Sequence, residues 1–215
     1  MEPSDPQSAG HARPAGPAVS PNGPLRADRV ELAAYLAADE VVDHRHPAIV
    51  EQAAALRGPD PVATAEAAFR FVRDRIDHSA DVGYWSAAYR ASDVLAARNA
   101  ICHGNAHLLT ALLRANGIPA GFCYQRLEVL HGLNGFLLPG SSWWVRLDAR
   151  GNRNGADGHF ATTPAEERTA WPSDPGRGEH HYGTVHAEVP PVLLDGLRRA
   201  VPGAAGFDYL PLELS

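Results

Sequence analysis

The sequence predicts an α+β fold in which N-terminal helices and a central helix pack on an antiparallel β-sheet. Apolar residues recur at helical spacing through the first half of the chain, and short strand-like segments replace that period beyond Pro119. Of the 215 residues, 45% are hydrophobic, which is enough for one substantial core. Helices followed by a run of strands are typical of an α+β domain.

The N-terminal segment is expected to lie outside that domain. Its sequence, MEPSDPQSAGHARPAGPAVSPNGPL, is dominated by Pro, Gly, Ser and Ala and has few large apolar side chains. Burial of so little apolar surface cannot offset the conformational entropy that ordering removes. We therefore predict a disordered tail over residues 1–25 and a single domain over residues 26–215.

Three helical patterns follow the tail. Apolar side chains at helical spacing predict helices over residues 26–38, 46–56 and 61–76. In the second pattern Pro47 lies near the first turn, where proline is tolerated. The segment 78–89 breaks the helical period and is predicted as a loop across the face of the domain.

The central helix is marked at both ends. It is predicted to begin near Cys102 and to continue through a stretch whose leucines form one apolar face. Asn116 and Gly117 accept left-handed backbone angles and are expected to end it. Ser92 and Asp93 offer N-cap groups for a short helix before it.

Short strands are predicted after the central helix. The segments 120–127, 135–138 and 143–147 have strand character and are separated by turn residues. A last helix is predicted over residues 192–200. This order of elements favours an antiparallel meander.

Charge and composition exclude several functions. The net charge is −6 and there is no basic run, so neither nucleic acid nor an anionic membrane is expected as a partner. All 19 basic residues are arginine, which excludes lysine-dependent Schiff-base and P-loop chemistry. No apolar stretch reaches the roughly 20 residues that span a bilayer, and no signal-peptide pattern is present. We therefore expect a soluble, cytoplasmic protein.

The two cysteines have different expected roles. Two cysteines in a chain of this size do not indicate a disulfide framework. Cys102 is placed in the first turn of the central helix, where the backbone amides lower a thiol pKa and favour a nucleophilic thiolate. A small buried residue at the start of a core helix is the alternative interpretation. Cys123 lies in an apolar run and is expected to be a packed strand residue.

A thiol nucleophile needs a base and a group that orients the base. Among eleven histidines, His131 is favoured because it enters a predicted strand and is followed by Gly132, which allows close approach of another segment. Asp148 ends the next apolar run and could hold the imidazole tautomer from a neighbouring strand. From the residues alone this order of Cys, His and Asp is only suggestive, because such partners are spatial neighbours.

Three segments carry a resemblance to a known family. ASDVLAARNAICHGNAHLLTALLRANGIPAGFCYQRL, LHGLNGFLL and WWVRLDARGN, within residues 90–152, resemble the bacterial transglutaminase-like superfamily, whose core is similar to papain-type cysteine peptidases. The resemblance implies a transglutaminase-like, papain-like fold. It also implies that Cys102 is the nucleophile, His131 its base and Asp148 the orienting residue.

The chain departs from the family pattern at two positions. Family members usually have glycine two residues before the cysteine and lysine three after it, whereas this chain has Ala100 and Asn105. Substrate contacts near the nucleophile are therefore expected to differ, with Asn105 among them. A member that has lost catalysis would show the same kind of departure.

Further side chains are assigned to the site as hypotheses. An oxyanion hole would combine the Cys102 backbone N–H with a side-chain donor, for which Tyr84, Trp85 and Tyr89 are candidates; packing aromatics are the alternative for each. Trp144 could shield the triad from water. Arg150 could hold a substrate carboxylate or only satisfy loop carbonyls.

No metal and no cofactor are expected. His103 and His107 have the i, i+4 spacing that lets two imidazoles share a metal, but no HExxH pattern accompanies them. The pair is better explained as part of a solvated helix face, or as residues that contact the active site, than as metal ligands.

The expected activity is cysteine-dependent hydrolysis of an amide or peptide, or acyl transfer from it, through a thioester intermediate. One alternative is an acyltransferase that forms amide bonds in a biosynthetic pathway from a thioester substrate. The other is a catalytically silent binding module.

Overall fold

A long buried helix lies at the centre of the fold. In the computed structural model, which describes residues 20–214, this helix contacts a four-stranded antiparallel sheet on one side and three other helices on the other. The helices are α1 (Pro47–Ala55), α2 (Pro61–Arg75), α3 (Ser79–Val82), α4 (Ala91–Ala97), α5 (Cys102–Ala115) and α6 (Pro191–Arg198). The strands are β1 (Arg26–Ala27), β2 (Asp77–His78), β3 (Asn99–Ala100), β4 (Ala120–Arg126), β5 (Leu130–Phe136), β6 (Val145–Leu147), β7 (His180–His181) and β8 (Thr184–Val185).

The predicted α+β architecture is confirmed. The sheet has the order β6-β5-β4-β7 and all its neighbours are antiparallel. Helix α5 packs on β4 and β5 through one face and on α1, α2 and α4 through the others, so that it is buried from Cys102 to Arg114. Each fully buried leucine on it contributes about 1.5–3 kcal/mol of apolar burial. The helix that carries Cys102 is therefore held on all sides.

The strand that carries His131 is longer than predicted. The sequence predicts a strand over residues 135–138, whereas β5 begins at Leu130 and ends at Phe136. Glycines in this strand weaken the sequence pattern that predicts a strand. In the structure they allow neighbouring segments to approach the strand closely. A Cβ at Gly135 would lie 2.9 Å from Val185 Cγ1, so glycine lets the segment that contains β8 pack directly on the sheet.

The prediction of a helix over residues 26–38 is wrong. Arg26–Ala27 pairs in parallel with β8, and only Leu32–Leu36 forms a 3-10 turn. The Tyr35 hydroxyl is the reason: it donates to Asp28 Oδ1 at 2.7 Å and accepts from the backbone N–H of Arg29 at 3.1 Å. These contacts fold the segment back on itself, and a continuous helix cannot make them.

The other helix predictions agree with the structure within a few residues. Asp60 caps α2 by accepting from the backbone N–H of Ala63 at 2.8 Å. The short helix α4 is present, but Ser92 does not cap it; its hydroxyl bonds Asp43 at 2.5 Å instead. The predicted loop over residues 78–89 begins with β2 and the single turn of α3.

The predicted tail falls mostly outside the described residues, which begin at Ser20. The part that is described contacts the sheet. Ser20 Oγ donates to Glu167 Oε2 at 2.5 Å, and the carbonyl oxygen of Gly23 accepts from Arg146 Nη1 at 2.7 Å. Among the described residues, no helix has the length and apolarity to cross a bilayer.

Candidate active site

Cys102 is the first residue of α5. The preceding residue, Ile101, has an extended backbone and provides no side-chain cap, so the first-turn amides of the helix are left to act on the thiol. The backbone N–H of Gly132 donates to Cys102 Sγ at 3.5 Å. The side chain is buried, with the residue 5% exposed, so its surroundings are protein groups of fixed geometry.

His131 lies on β5 between this thiol and a carboxylate. Its Nε2 is 2.9 Å from Asp148 Oδ2, so the imidazole donates that hydrogen to the carboxylate. The same ring lies within hydrogen-bonding reach of the Cys102 side chain, which helps to raise the pKa of His131. Because Asp148 occupies Nε2, Nδ1 is the nitrogen left for the sulfur.

Asp148 follows the last residue of β6 and is completely buried. Besides His131, its Oδ2 accepts from the backbone N–H of Ala170 at 2.7 Å, and its Oδ1 accepts from the backbone N–H of Arg150 at 3.2 Å. These three bonds fix both carboxylate oxygens. The structure thus brings together the three residues that the sequence singles out, from α5, β5 and the end of β6.

The pKa shifts of Cys102, His131 and Asp148 favour a charged pair of thiolate and imidazolium. Burial would raise the pKa of the Cys102 thiol, but the imidazoles of His103 and His131 and hydrogen bonds from His131 and His78 hold it well below its usual value. Burial would lower the pKa of His131, but Asp148 and Cys102 raise it to about 10. Burial would likewise raise the pKa of Asp148, and its interaction with His131 lowers it. At neutral pH these shifts favour a thiolate beside an imidazolium.

Gly132 allows the helix to approach the strand, as the sequence predicts. A Cβ at this position would lie 2.6 Å from His103 Nδ1 and 3.1 Å from His103 Cα. His103 is itself fully buried, and its Nε2 donates to the carbonyl oxygen of Leu130 at 3.0 Å. Burial lowers the pKa of His103, and the bond from its Nε2 ties the start of α5 to β5.

Asn105 is an internal residue of α5. It is fully buried, and its Nδ2 donates to the carbonyl oxygen of Ala149 at 3.3 Å. Ala149 directly follows Asp148, so this bond ties the helix of the thiol to the loop of the carboxylate. The side chain thus has an internal partner, and the substrate contact predicted for it stays a prediction.

The aromatic side chains before α5 have partners away from the thiol. Tyr84 is 68% exposed, and the Tyr89 hydroxyl donates to Glu40 Oε1 at 3.2 Å. Trp85 is half-buried and packs edge-on against Phe207, with ring centroids 5.1 Å apart. These contacts give no support to the predicted oxyanion donors.

Trp144 and Arg150 also have internal partners. The Trp144 ring packs against Tyr35 at a centroid distance of 4.6 Å, in a small apolar cluster with Leu133. Arg150 forms a two-point ion pair with Asp81, through bonds of 2.7 and 2.9 Å. Trp144 thus closes an apolar cluster, and Arg150 joins the loop after Asp148 to α3, while the roles predicted for both residues stay predictions.

His78 has no role predicted from the sequence, and the structure places it beside Cys102. It is 5% exposed and its side chain lies within hydrogen-bonding reach of the thiol. The segment HSAD, residues 78–81, was the available signal, because it also resembles the transglutaminase-like superfamily, more weakly than residues 90–152 do. Spacing could not reveal the contact, since 23 residues of loop and helix separate positions 78 and 102.

The C-terminal strap, residues 203–214, crosses the molecule near the thiol. Burial raises the pKa of Tyr209 on this strap to about 12, and the nearby Cys102 adds to that shift. The backbone N–H of Gly203 donates to the Trp85 carbonyl at 2.8 Å. At the other end, Arg126 Nε donates to Glu213 Oε1 at 2.8 Å. The strap is thus anchored on both sides of Tyr209.

Within residues 20–214, no cluster of three or more His, Cys, Asp or Glu side chains has the geometry to hold a metal ion. Both cysteines are free thiols.

Fold and side-chain arrangement together define the α+β class with a papain-like plan, in which a cysteine-bearing helix packs on an antiparallel sheet. The family model described as "Transglutaminase-like superfamily" matches residues 50–149, which include Cys102, His131 and Asp148. This segment is similar to the transglutaminase-like superfamily and makes up a little less than half of the chain.

Two solved structures are similar to this chain at low identity. One is a candidate cysteine protease from Cytophaga hutchinsonii, 19% identical over 57% of this chain and 43% of that chain, with a TM-score of 0.47. The other is a TGase, 20% identical over 56% of this chain and 34% of that chain, with a TM-score of 0.37. The chain spans less than half the length of either. No curated protein matches it.

Proposed function

We propose that this transglutaminase-like chain is a cysteine-dependent enzyme that hydrolyses an amide or peptide bond, or transfers its acyl group, through a thioester on Cys102. The proposal includes a catalytic triad of Cys102, His131 and Asp148, carried by a single domain over residues 26–215 and acting in the cytoplasm. The observation that supports it most is the continuous contact from thiol to imidazole to carboxylate.

The first half of the reaction forms the thioester. The Cys102 thiolate attacks the carbonyl carbon, and the carbonyl π electrons move to oxygen to give a tetrahedral oxyanion. When this intermediate collapses, the C–N bond breaks and the amine leaves with the proton that His131 held as imidazolium. Asp148 keeps the ring in the tautomer and orientation that this transfer needs.

The second half releases the acyl group. His131, now neutral, accepts a proton from water or from an acceptor amine, which attacks the thioester carbonyl. Collapse of the second tetrahedral intermediate breaks the C–S bond and regenerates the thiolate beside the imidazolium. Water gives a carboxylic acid and an amine gives a new amide. Hydrolysis is the preferred assignment, because water needs no second binding site.

The decisive experiment measures the reactivity of the thiol as a function of pH. Alkylation of Cys102 by iodoacetamide is followed by intact-protein mass spectrometry in the wild type and in His131→Ala, with Cys102→Ala as the labelling control. A reactive thiolate below pH 7 that His131→Ala abolishes supports the pair. Identical profiles with an ordinary thiol pKa would favour the silent binding module.

A second measurement distinguishes the acyl donors. Amide and peptide substrates are compared with acyl thioesters for formation of a covalent acyl-enzyme. An acyl-enzyme from thioesters without amide cleavage would favour the amide-forming acyltransferase.

A further inference from the structure

His78 approaches the thiol from a strand that the triad does not use. Strand β2 pairs in parallel with β3, and His78 lies opposite Ala100, two residues before Cys102. This register places His78 beside the N-terminus of α5. The residue is buried, and its side chain lies within hydrogen-bonding reach of Cys102.

The two ring nitrogens of His78 are not equivalent. Nδ1 is buried and has no hydrogen-bond partner within residues 20–214. Of the two nitrogens, Nε2 is therefore the one that we assign to the thiol. A neutral imidazole protonated at Nε2 is a hydrogen-bond donor at that atom.

The neighbouring side chains keep β2 and β3 together. Ser79 Oγ donates to Asn99 Oδ1 at 2.9 Å, and Asn99 Nδ2 donates to the carbonyl oxygen of Asp77 at 3.4 Å. The ion pair between Asp81 and Arg150 then joins the turn after His78 to the loop after Asp148. The His78 ring is thus fixed relative to both ends of the triad.

The proposed reaction needs such a donor. A tetrahedral intermediate places negative charge on the former carbonyl oxygen, next to the carbon that the sulfur has attacked. Backbone amides at the start of α5 can supply one donor, and two further buried donors are committed: His103 Nε2 donates to Leu130, and Gln125 Nε2 donates to the Trp171 carbonyl at 2.9 Å. The aromatic residues predicted for this role have partners elsewhere.

We propose that His78 Nε2–H is the side-chain donor of the oxyanion hole, acting with the backbone N–H of Cys102. The assignment rests on the proposed function, since it concerns the intermediate formed by Cys102. His78 takes no proton from the substrate: it donates a hydrogen bond to the oxyanion while His131 carries out the proton transfer.

Two reagents separate this role from an effect on the thiolate. Iodoacetamide alkylates the thiolate by displacing iodide and forms no oxyanion. An activated ester, p-nitrophenyl acetate, acylates the same sulfur through a tetrahedral oxyanion. In His78→Leu, which keeps an apolar side chain of similar reach, we expect the acylation rate to fall by about 10²–10³-fold. The alkylation rate, measured at a pH where the thiolate is fully formed, should stay within about tenfold.

His78→Gln and Tyr124→Phe are the matched variants. Gln replaces the ring Nε2–H with an amide N–H at similar reach and should restore most of the acylation rate lost in His78→Leu. The Tyr124 hydroxyl is another buried group near the site without a partner among the described residues. Its removal should leave both rates unchanged. Thermal unfolding followed by circular dichroism checks that each variant is folded.

Three results would overturn the assignment. Equal loss of acylation and alkylation in His78→Leu would limit His78 to stabilising the thiolate. Unchanged acylation in a folded His78→Leu, or loss of acylation in Tyr124→Phe instead, would exclude the imidazole as the donor. A wild-type protein that is alkylated but never acylated would overturn the proposed function as well, and so differs from failure of His78 alone.

Discussion

Cys102 and Cys123 are both buried free thiols, but one lies at the first residue of a helix and the other in the middle of a strand. Cys123 is on β4 opposite Leu133, in an apolar cluster with Tyr35 and Val185. Burial raises its pKa to about 12. Cys102 is nearly as well buried, yet its pKa is lowered, because imidazoles and helix amides surround it.

The difference shows that burial alone does not decide whether a cysteine is reactive. Removing a thiol from water always disfavours its charged form, and only specific partners can reverse that preference. Cys102 has two imidazoles within hydrogen-bonding reach and the N–H of Gly132 beside the sulfur. Cys123 has apolar neighbours and stays a neutral core residue.

The largest effect is expected from Cys102→Ala. Loss of the nucleophile should lower turnover of an amide or ester substrate by on the order of 10⁶-fold, since the triad members act as a unit. Cys123→Ala is the matched control and should retain wild-type turnover. Steady-state kinetics on both variants tests the contrast, and residual turnover in Cys102→Ala above one-tenth of wild type would contradict it.

The next largest effect is expected from Asp148→Asn. An amide oxygen can still accept from the backbone N–H of Arg150, but an NH2 in place of Oδ2 loses the bond from Ala170, presents an N–H to His131 and favours the wrong tautomer. Turnover should fall by on the order of 10⁴-fold. The variant is compared with wild type by kcat and by thermal unfolding. A folded protein that loses less than tenfold in kcat would show that Asp148 does not orient the imidazole.

The pH profile should separate the two thiols. The lowered pKa of Cys102 means that its thiolate forms below the usual cysteine range, and the raised pKa of His131 keeps the imidazolium up to about pH 10. Turnover should therefore rise as Cys102 deprotonates and fall near pH 10 as His131 deprotonates. In His131→Ala, a thiol with a pKa near 8.5 would alkylate about 100-fold more slowly at pH 6.5.

That rate is measured with iodoacetamide under native conditions, and peptide mapping identifies the labelled cysteine. Cys123 should stay unlabelled below pH 9 in both proteins, because its raised pKa and burial keep it neutral and inaccessible. Labelling of both cysteines with one common pH dependence would contradict the contrast.

A smaller effect on stability is expected from Asn105→Ala. The change removes the bond to the Ala149 carbonyl and leaves that buried acceptor unpaired, at a cost of about 1–3 kcal/mol in the free energy of unfolding. Urea unfolding measures the cost. Because the bond also ties α5 to the loop of Asp148, kcat should fall together with stability. An unchanged midpoint and an unchanged kcat would rule out this tether.

The smallest effect is expected from Cys123→Ala. The side chain is a small apolar filler in this cluster, so its truncation should lower the free energy of unfolding by about 1 kcal/mol. Acylation and alkylation of Cys102 should be unaffected. If acylation fell by more than a few-fold while the protein remained folded, Cys123 would have a functional role that its surroundings do not indicate.

The sequence by itself determined the α+β class, the start of α5 at Cys102 and the order of the short strands. These features follow from local rules: leucines at helical spacing, a left-handed stop at Gly117 and turn residues between apolar runs. The segments that carry Cys102, His131 and Asp148 were recognisable for the same reason, because each is a continuous stretch of chain.

Only the tertiary structure decided which side chains surround the thiol. It placed His78 beside Cys102 through a two-residue parallel pairing, and it gave Asn105, Trp144 and Arg150 internal partners. It also replaced the predicted first helix by a 3-10 turn held by the Tyr35 hydroxyl. Such contacts join residues far apart in the chain, and their energies depend on distance and burial, which no local pattern of residues encodes.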